Sequence, residues 1–118
     1  MNLLAVALGG ALGATVRYLV AGAMQGVTVA HVPVGVLSIN VVGSFLIGLA
    51  WAWFMRHEDS PWQSFVLIGC LGAFTTYSTF AWETVQLWRD GWRAAAVAYV
   101  LASNTLAIGA AFLGFRLG

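Results

Sequence analysis

The third of four apolar segments in this chain contains the run Gly69-Cys70-Leu71-Gly72-Ala73-Phe74-Thr75-Thr76-Tyr77-Ser78-Thr79-Phe80. Two glycines in this run precede threonine and serine side chains that are interspersed with aromatic rings. Glycine and β-branched threonine both disfavour the interior of a helix. In hydrocarbon, backbone groups freed from a helix are costly unless protein or water satisfies them. The run therefore predicts a membrane helix that is broken beside a path for an ion or a small solute.

The composition is that of an integral membrane protein. Of the 118 residues, 61% are hydrophobic and only 8% are charged, whereas soluble domains carry about 25% charged residues. The formal net charge is +1 and the chain contains no lysine, which argues against a nucleic-acid partner. No two acids are spaced for general acid–base work, and the sequence has no HExxH or CxxC metal motif, no phosphate-binding glycine loop and no serine–histidine–aspartate set within reach of one plane, so we do not expect an enzyme.

Charged and turn-forming residues divide the chain into four segments, each long enough to cross about 30 Å of hydrocarbon as a helix. The predicted spans, within a single domain of residues 1–118, are approximately residues 3–23, 33–55, 62–88 and 92–115. The third would extend about 40 Å as one straight helix. It therefore either tilts or breaks, and the residue types favour a break near Thr75 and Thr76. We predict an all-α membrane protein with four transmembrane helices, the third broken near its middle.

Arginine residues are balanced between the two sides of the membrane, with Arg17 inside the first span left out. Because consecutive spans run in opposite directions, Arg56 and Arg116 would lie on one side, and Arg89 and Arg93 on the other. An excess of positive charge on one side normally fixes orientation, so this balance predicts insertion in both orientations. Equal populations would allow an antiparallel, dual-topology homodimer whose two-fold axis lies in the membrane plane.

Several polar side chains fall within the predicted spans, where they are costly unless they face a partner or water. Arg17 either snorkels to the interface or lines a vestibule that concentrates anions. Asn40 begins a stripe of small and polar residues at four-residue spacing, and its amide either links two helices or donates to a permeating anion. Tyr99 and Ser103 form a similar stripe in the fourth span. Glu83 is the one candidate for a buried acid.

Three motifs in this order resemble the Fluc (CrcB) family of fluoride channels, and together they cover essentially the whole chain. They are Gly9-Gly10 through Gly13-Ala14 to Arg17-Tyr18; Gly35 through Asn40 and Gly43-Ser44-Phe45 to Gly48; and Gly69 through Gly72 and Phe74-Thr75-Thr76 to Ser78-Thr79-Phe80. The resemblance implies passive fluoride export across the bacterial inner membrane by a dual-topology homodimer with two pores.

The resemblance also implies roles for individual residues, by match of position. The backbone carbonyls of Gly72 and Thr75 would bind a structural sodium ion on the two-fold axis, each chain supplying half of the ligands. The fluoride pore would comprise Asn40, the paired aromatic residues Tyr77 and Phe80, and the polar side chains of Ser78, Thr79 and Ser103. Tyr99 would also lie along the pore, with Glu83 in its surroundings and Arg17 in the vestibule.

One position departs from the family pattern. The first of the paired aromatic residues is usually phenylalanine, and here it is Tyr77. A phenol ring keeps the electropositive edge of a phenylalanine ring, so it can still face an anion. Its hydroxyl adds a donor and an acceptor that can bind fluoride, water or a neighbouring side chain.

Two other kinds of function compete with a channel: coupled transport and a scaffold role without transport. A proton-coupled fluoride carrier would use Glu83, and a small dual-topology multidrug exporter would need an acid in the first span, where only Arg17 is charged. A scaffold protein without transport activity would explain the glycines, but not three polar stripes at membrane depth.

Overall fold

The computed structural model describes residues 2–118 and consists almost entirely of helices. The elements in chain order are α1 (Leu3–Ala23), the short strands β1 (Thr28–Val29) and β2 (Val32–Pro33), α2 (Val34–Met55), a wide helical segment (Ser64–Leu71), α3 (Gly72–Phe74), α4 (Tyr77–Arg89) and α5 (Arg93–Leu117). The two strands pair antiparallel as a hairpin between α1 and α2.

Four helices in the described residues are long and apolar enough to cross a membrane. They are Leu3–Ala23, Val34–Met55, the composite third span Ser64–Arg89, and Arg93–Leu117. Every end lies within two residues of the predicted one. The prediction of an all-α membrane protein with four transmembrane helices and a broken third helix is confirmed.

Glycines allow the helices to pack with their backbones in close contact. A Cβ atom on Gly13 of α1 would collide with the carbonyl oxygen of Cys70 in the third span. A Cβ atom on Gly48 of α2 would likewise collide with the carbonyl oxygen of Ala111 in α5. Small residues at such positions let dispersion forces act between backbones in a bilayer. The fold is therefore built from two tightly packed pairs, α1 with the third span and α2 with α5.

The third span changes its winding twice. Ser64–Leu71 forms a wide π-helix, and α3 then continues as a single α-helical turn. Thr75 and Thr76 are extended, with φ and ψ of −78° and 155° for Thr75 and of −145° and 120° for Thr76, before α4 begins at Tyr77. The break lies where the threonines predicted it. The glycines of the run also predicted a break that begins at Gly72, but Gly72 keeps helical angles of −62° and −37°, so the backbone leaves the helix only at Thr75.

Aromatic and polar contacts fix which loops share a side of the membrane. The His31 ring at the tip of the hairpin stacks on Trp92, which precedes α5, with 3.6 Å between the ring centroids. At the opposite end, the Arg56 guanidinium donates to the carbonyl oxygen of Gly118 at 2.9 Å. The first and third loops therefore share one side, and the second loop shares the other side with the end of α5.

Candidate functional site

A cavity of about 250 Å³ opens beside the break and is bounded by three spans. Its walls combine amide and hydroxyl groups with aromatic and small apolar side chains. The lining residues are Asn40, Ser44 and Ile47 of α2, Thr75 and Thr76 of the break, Tyr77 and Phe80 of α4, and Ser103, Asn104 and Ala107 of α5. Neither lysine nor arginine is among them, so an anion inside would meet neutral donors.

Asn40 satisfies the backbone of the break. Its Nδ2 donates to the carbonyl oxygen of Thr76, and the N–H of Thr76 donates to Oδ1 of Asn40, both at 2.9 Å. The side-chain amide thus pairs with the peptide groups of one residue, as a neighbouring strand would. The interpretation of Asn40 as a link between helices holds. One N–H of its NH₂ group is left over, because this group carries two donors.

Arg17, from α1, binds a second backbone group of the break. Its Nε donates to the carbonyl oxygen of Ala73 at 3.1 Å. In a continuous α-helix this carbonyl would accept from the N–H of Tyr77, four residues later. The break separates the two, and a charged side chain from α1 supplies the missing donor. Arg17 is half-buried, so its Nε binds within the protein.

Besides that of Ala73, two further carbonyl groups near the break lose their helical donors. The N–H of Thr76 would donate to the carbonyl of Gly72 in a continuous helix, but it donates to Asn40. The N–H of Thr79 would donate to the carbonyl of Thr75, but it donates to Oγ1 of Thr76 at 3.4 Å as an N-cap bond. The carbonyls of Gly72 and Thr75 are thereby released from the regular helical ladder.

A series of aromatic rings extends from the cavity into the protein. The rings of Tyr77 and Phe80 lie 5.5 Å apart between centroids, and those of Phe80 and Tyr99 lie 5.0 Å apart, both edge-to-face. Tyr77 is 76% exposed, whereas Phe80 and Tyr99 are buried. The Tyr99 hydroxyl donates to Oε1 of Glu83 at 2.7 Å. Ring edges carry partial positive charge, so such a series can bind an anion without a formal cation.

Ser103 carries the one buried side-chain oxygen without a hydrogen-bond partner in residues 2–118. The residue is 7% exposed and lines the cavity. Burying a hydroxyl without a partner is costly, and such groups in native proteins usually bind water or an ion. Its Oγ therefore has unused hydrogen-bonding capacity beside the cavity.

The structure brings together only part of the set of pore residues expected from the resemblance. Asn40, Tyr77, Phe80 and Ser103 line one cavity. The others lie elsewhere: Ser78 is exposed on α4, the Thr79 hydroxyl accepts from that of Thr76, and Tyr99 is buried behind Phe80 with Glu83 bonded to it.

Three polar residues that line the cavity were missing from the expected site. Ser44 lies one turn after Asn40 in the same polar stripe, and Asn104 follows Ser103, so their positions were visible in the sequence. Thr76 was expected only as part of the break, but it also caps α4. The three-residue spacing of its hydroxyl from Thr79 is a recognisable N-cap pattern.

Comparison with known proteins identifies the family of this fold. A family model described as "CrcB-like protein, Camphor Resistance (CrcB)" matches residues 4–115, nearly the whole chain. The chain belongs to the CrcB family. The resemblance found in the three motifs is thus confirmed, and with it a multi-pass protein of the inner membrane rather than an enzyme.

Relatives in several organisms match the chain along most of its length. One from Parabacteroides distasonis is 43% identical over 94% of this chain and 88% of that protein. One from Saccharophagus degradans is 42% identical over 97% of this chain and 86% of its own length. One from Magnetococcus marinus is 41% identical over 100% of this chain and 98% of its own. Each of these CrcB relatives is named "Fluoride-specific ion channel FluC".

Proposed function

We propose that the chain is a fluoride-selective channel, which lowers cytoplasmic fluoride by letting the ion leave down its gradient. The observation that carries this proposal is the cavity at the break. Fluoride is small and strongly hydrated, so a pore must replace its water with many close donors, none strong enough to trap it. Amide and hydroxyl groups with aromatic edges, without lysine or arginine, meet that requirement. The names of relatives at about 40% identity agree with this substrate.

The side chains suggest how the ion would move. The remaining N–H of Asn40 and the unpaired hydroxyl of Ser103 belong to residues that line the cavity, and both can donate to fluoride. The edges of Tyr77 and Phe80 supply the next contacts along the same wall. Tyr99, bonded to Glu83, would sit beyond Phe80. Each contact is individually weak, so the ion can pass from one to the next.

We further propose that two copies assemble as an antiparallel homodimer. The Tyr77 ring is 76% exposed although it lines the cavity, so a second copy would be needed to enclose the path. The equal numbers of arginines on the two sides support insertion in both orientations. In a Cys70→Ala background, single Asp59→Cys and Asp90→Cys variants should each be labelled from both sides of the membrane. Labelling of each from one side only would refute dual topology.

We also propose a structural sodium ion at the dimer centre, held by the carbonyls of Gly72 and Thr75 from both copies. The donor set fits: these are hard oxygen atoms whose helical donors have been redirected to Asn40 and Thr76. The ion would supply positive charge that compensates these carbonyl dipoles. Replacing sodium with N-methyl-D-glucamine should lower the melting temperature of the purified protein. An unchanged melting temperature would argue against the ion.

Fluoride efflux from liposomes is the deciding experiment. Purified protein is reconstituted with internal potassium fluoride, valinomycin balances the charge, and a fluoride electrode records release. We expect fast fluoride release and none of chloride in matched vesicles. Release no faster than from protein-free liposomes would refute the channel. The hydrogen bond between the buried Tyr99 and the half-buried Glu83 is the observation that favours a proton-coupled carrier, and a carrier requires that a proton gradient drive fluoride uphill.

A further inference from the structure

We infer that Arg17 is a positioning residue that fixes the break in the third span through its Nε donor, rather than a charge that attracts anions to the pore. This inference rests on the proposed channel function, because its readout is fluoride flux. It assigns the guanidinium a structural partner inside the protein and separates that role from its charge.

The geometry of α1 directs Arg17 to the break. Gly13, one turn before Arg17, lies so close to Cys70 that a Cβ atom there would collide with the Cys70 carbonyl. One further turn along both helices, Arg17 donates to the carbonyl of Ala73. The contact between Gly13 and Cys70 thus sets the depth and rotation of α1 against the third span. This position brings Arg17, one turn later, within hydrogen-bond distance of the Ala73 carbonyl.

The bonded atom is the one best suited to a structural role. Nε lies inside the side chain, next to Cδ, and carries a single N–H. Bonding through Nε fixes the orientation of the guanidinium plane relative to the Ala73 carbonyl. A side chain whose main task was to attract anions would not need this internal donor to be engaged with the backbone.

The bonded carbonyl lies directly before the break. Ala73 follows Gly72, and its peptide group lies within the turn that ends at Thr75. Asn40 holds the peptide groups of Thr76 on the far side of the break. Arg17 from α1 and Asn40 from α2 therefore bind the backbone just before the break and at its end. The carbonyls of Gly72 and Thr75 lie within one residue of these two bonded peptide groups, so both bonds also restrict where they can lie.

Three substitutions separate the donor from the charge. In Arg17→Gln, the amide Nε2 occupies the same place along the side chain as Nε, so the donor is kept and the charge is lost. In Arg17→Lys the charge is kept, but a methylene replaces Nε. Arg17→Met has neither. Fluoride efflux is measured for each across a range of fluoride concentrations, alongside the dependence of the melting temperature on sodium.

We expect Arg17→Gln to keep most of the wild-type efflux and sodium dependence, while Arg17→Lys and Arg17→Met each lose roughly tenfold in efflux, as for loss of a charge-assisted hydrogen bond. That loss should persist at saturating fluoride, because raising the anion concentration replaces an attracting charge but not a misplaced carbonyl. If Arg17→Met does not fold, the comparison of Gln with Lys decides.

The opposite order, with Lys active and Gln inactive, overturns the inference in favour of a charge in the vestibule. Wild-type efflux in all three variants, or equal loss in all three, overturns it as well. None of these outcomes touches the proposed channel, since the channel fails only if the wild-type protein itself releases no fluoride.

Discussion

The side-chain amide of Asn40 and the peptide groups of Thr76 exchange two hydrogen bonds, each 2.9 Å long, across 36 residues of sequence. The pair joins the middle of α2 to the point where the third span leaves the helix. It makes an irregular backbone tolerable inside a bilayer, where no water would otherwise satisfy it.

Removing this amide should unfold the break. Asn40→Leu leaves a buried N–H and a buried carbonyl without partners, which costs ~1–3 kcal/mol for each group. We expect a lower melting temperature and a loss of most fluoride efflux. Asn104→Leu is the matched control for stability, because the Asn104 amide donates only to the Val100 carbonyl of its own helix. Equal destabilisation by the two substitutions would show that the pairing with Thr76 does not matter.

Replacing Phe80 with an aliphatic side chain should abolish the aromatic contact for the anion. Isoleucine fills much of the same buried space but has no electropositive edge, so Phe80→Ile should reduce efflux by roughly tenfold or more while the dimer stays intact on size-exclusion chromatography. Phe112→Ile is the control, since Phe112 is 68% exposed on α5. Unchanged flux in Phe80→Ile would remove this ring from the pore.

We expect Tyr77 to contact fluoride through the edge of its ring rather than through its hydroxyl. The ring lies edge-to-face with Phe80 at 5.5 Å, and Tyr77→Phe preserves that edge. We expect efflux to change by less than about fivefold, the value of one ordinary hydrogen bond. A larger loss, measured in the same liposome assay, would mean that the phenol hydroxyl itself binds the ion.

Ser103→Ala should separate function from stability. Because the Ser103 hydroxyl is buried without a partner, its removal should leave the melting temperature unchanged or raise it. Fluoride efflux should nevertheless fall by about fivefold, since a donor to the ion is lost. Thr105→Val, on the exposed side of α5, should leave efflux unaltered. A drop in stability with normal efflux would assign Ser103 to packing instead.

The hairpin between α1 and α2 should gain stability from glycine. Ala30 and His31 form its tip with φ values of 51° and 69°, a left-handed conformation that costs a residue with a Cβ atom about 1–2 kcal/mol. Ala30→Gly should therefore raise the free energy of unfolding by ~1 kcal/mol. The same exchange within a helix, Ala94→Gly, should lower it by ~1 kcal/mol. Two changes of the same sign in urea or thermal unfolding would contradict this expectation.

The sequence predicted what depends on local composition. Hydropathy located the four spans, and the glycines and threonines of residues 69–80 located the break. Local composition could not predict which side chains donate to the backbone of the break. Arg17 and Ala73 are 56 residues apart, and no pattern in either segment identifies the other as its partner. The hairpin was missed for a different reason: its tip is Ala30-His31, without the asparagine or glycine that usually marks a two-residue turn.

In the candidate site, too, the sequence identified polar residues but not the contacts that they make. Asn40 and Ser103 were visible as polar residues at membrane depth, and the structure places both on one cavity. Thr79 was expected to face the ion, and in the structure its hydroxyl accepts from that of Thr76, which leaves its own O–H as a donor. Which hydroxyl remains free depends on backbone dihedral angles at the break, and these follow from contacts between spans rather than from the residue types alone.

The hydrogen bonds from Arg17 and Asn40 to the break also have a consequence for the order in which the spans are inserted during synthesis. Arg17 and Asn40 both precede the third span in the chain, so their donors are already in the bilayer when the break emerges from the ribosome. The carbonyls of Ala73 and Thr76 therefore have their donors at hand when the interrupted span enters the bilayer. A circularly permuted chain that began at the second loop would present the break before its two partners, and it would have to be inserted without them.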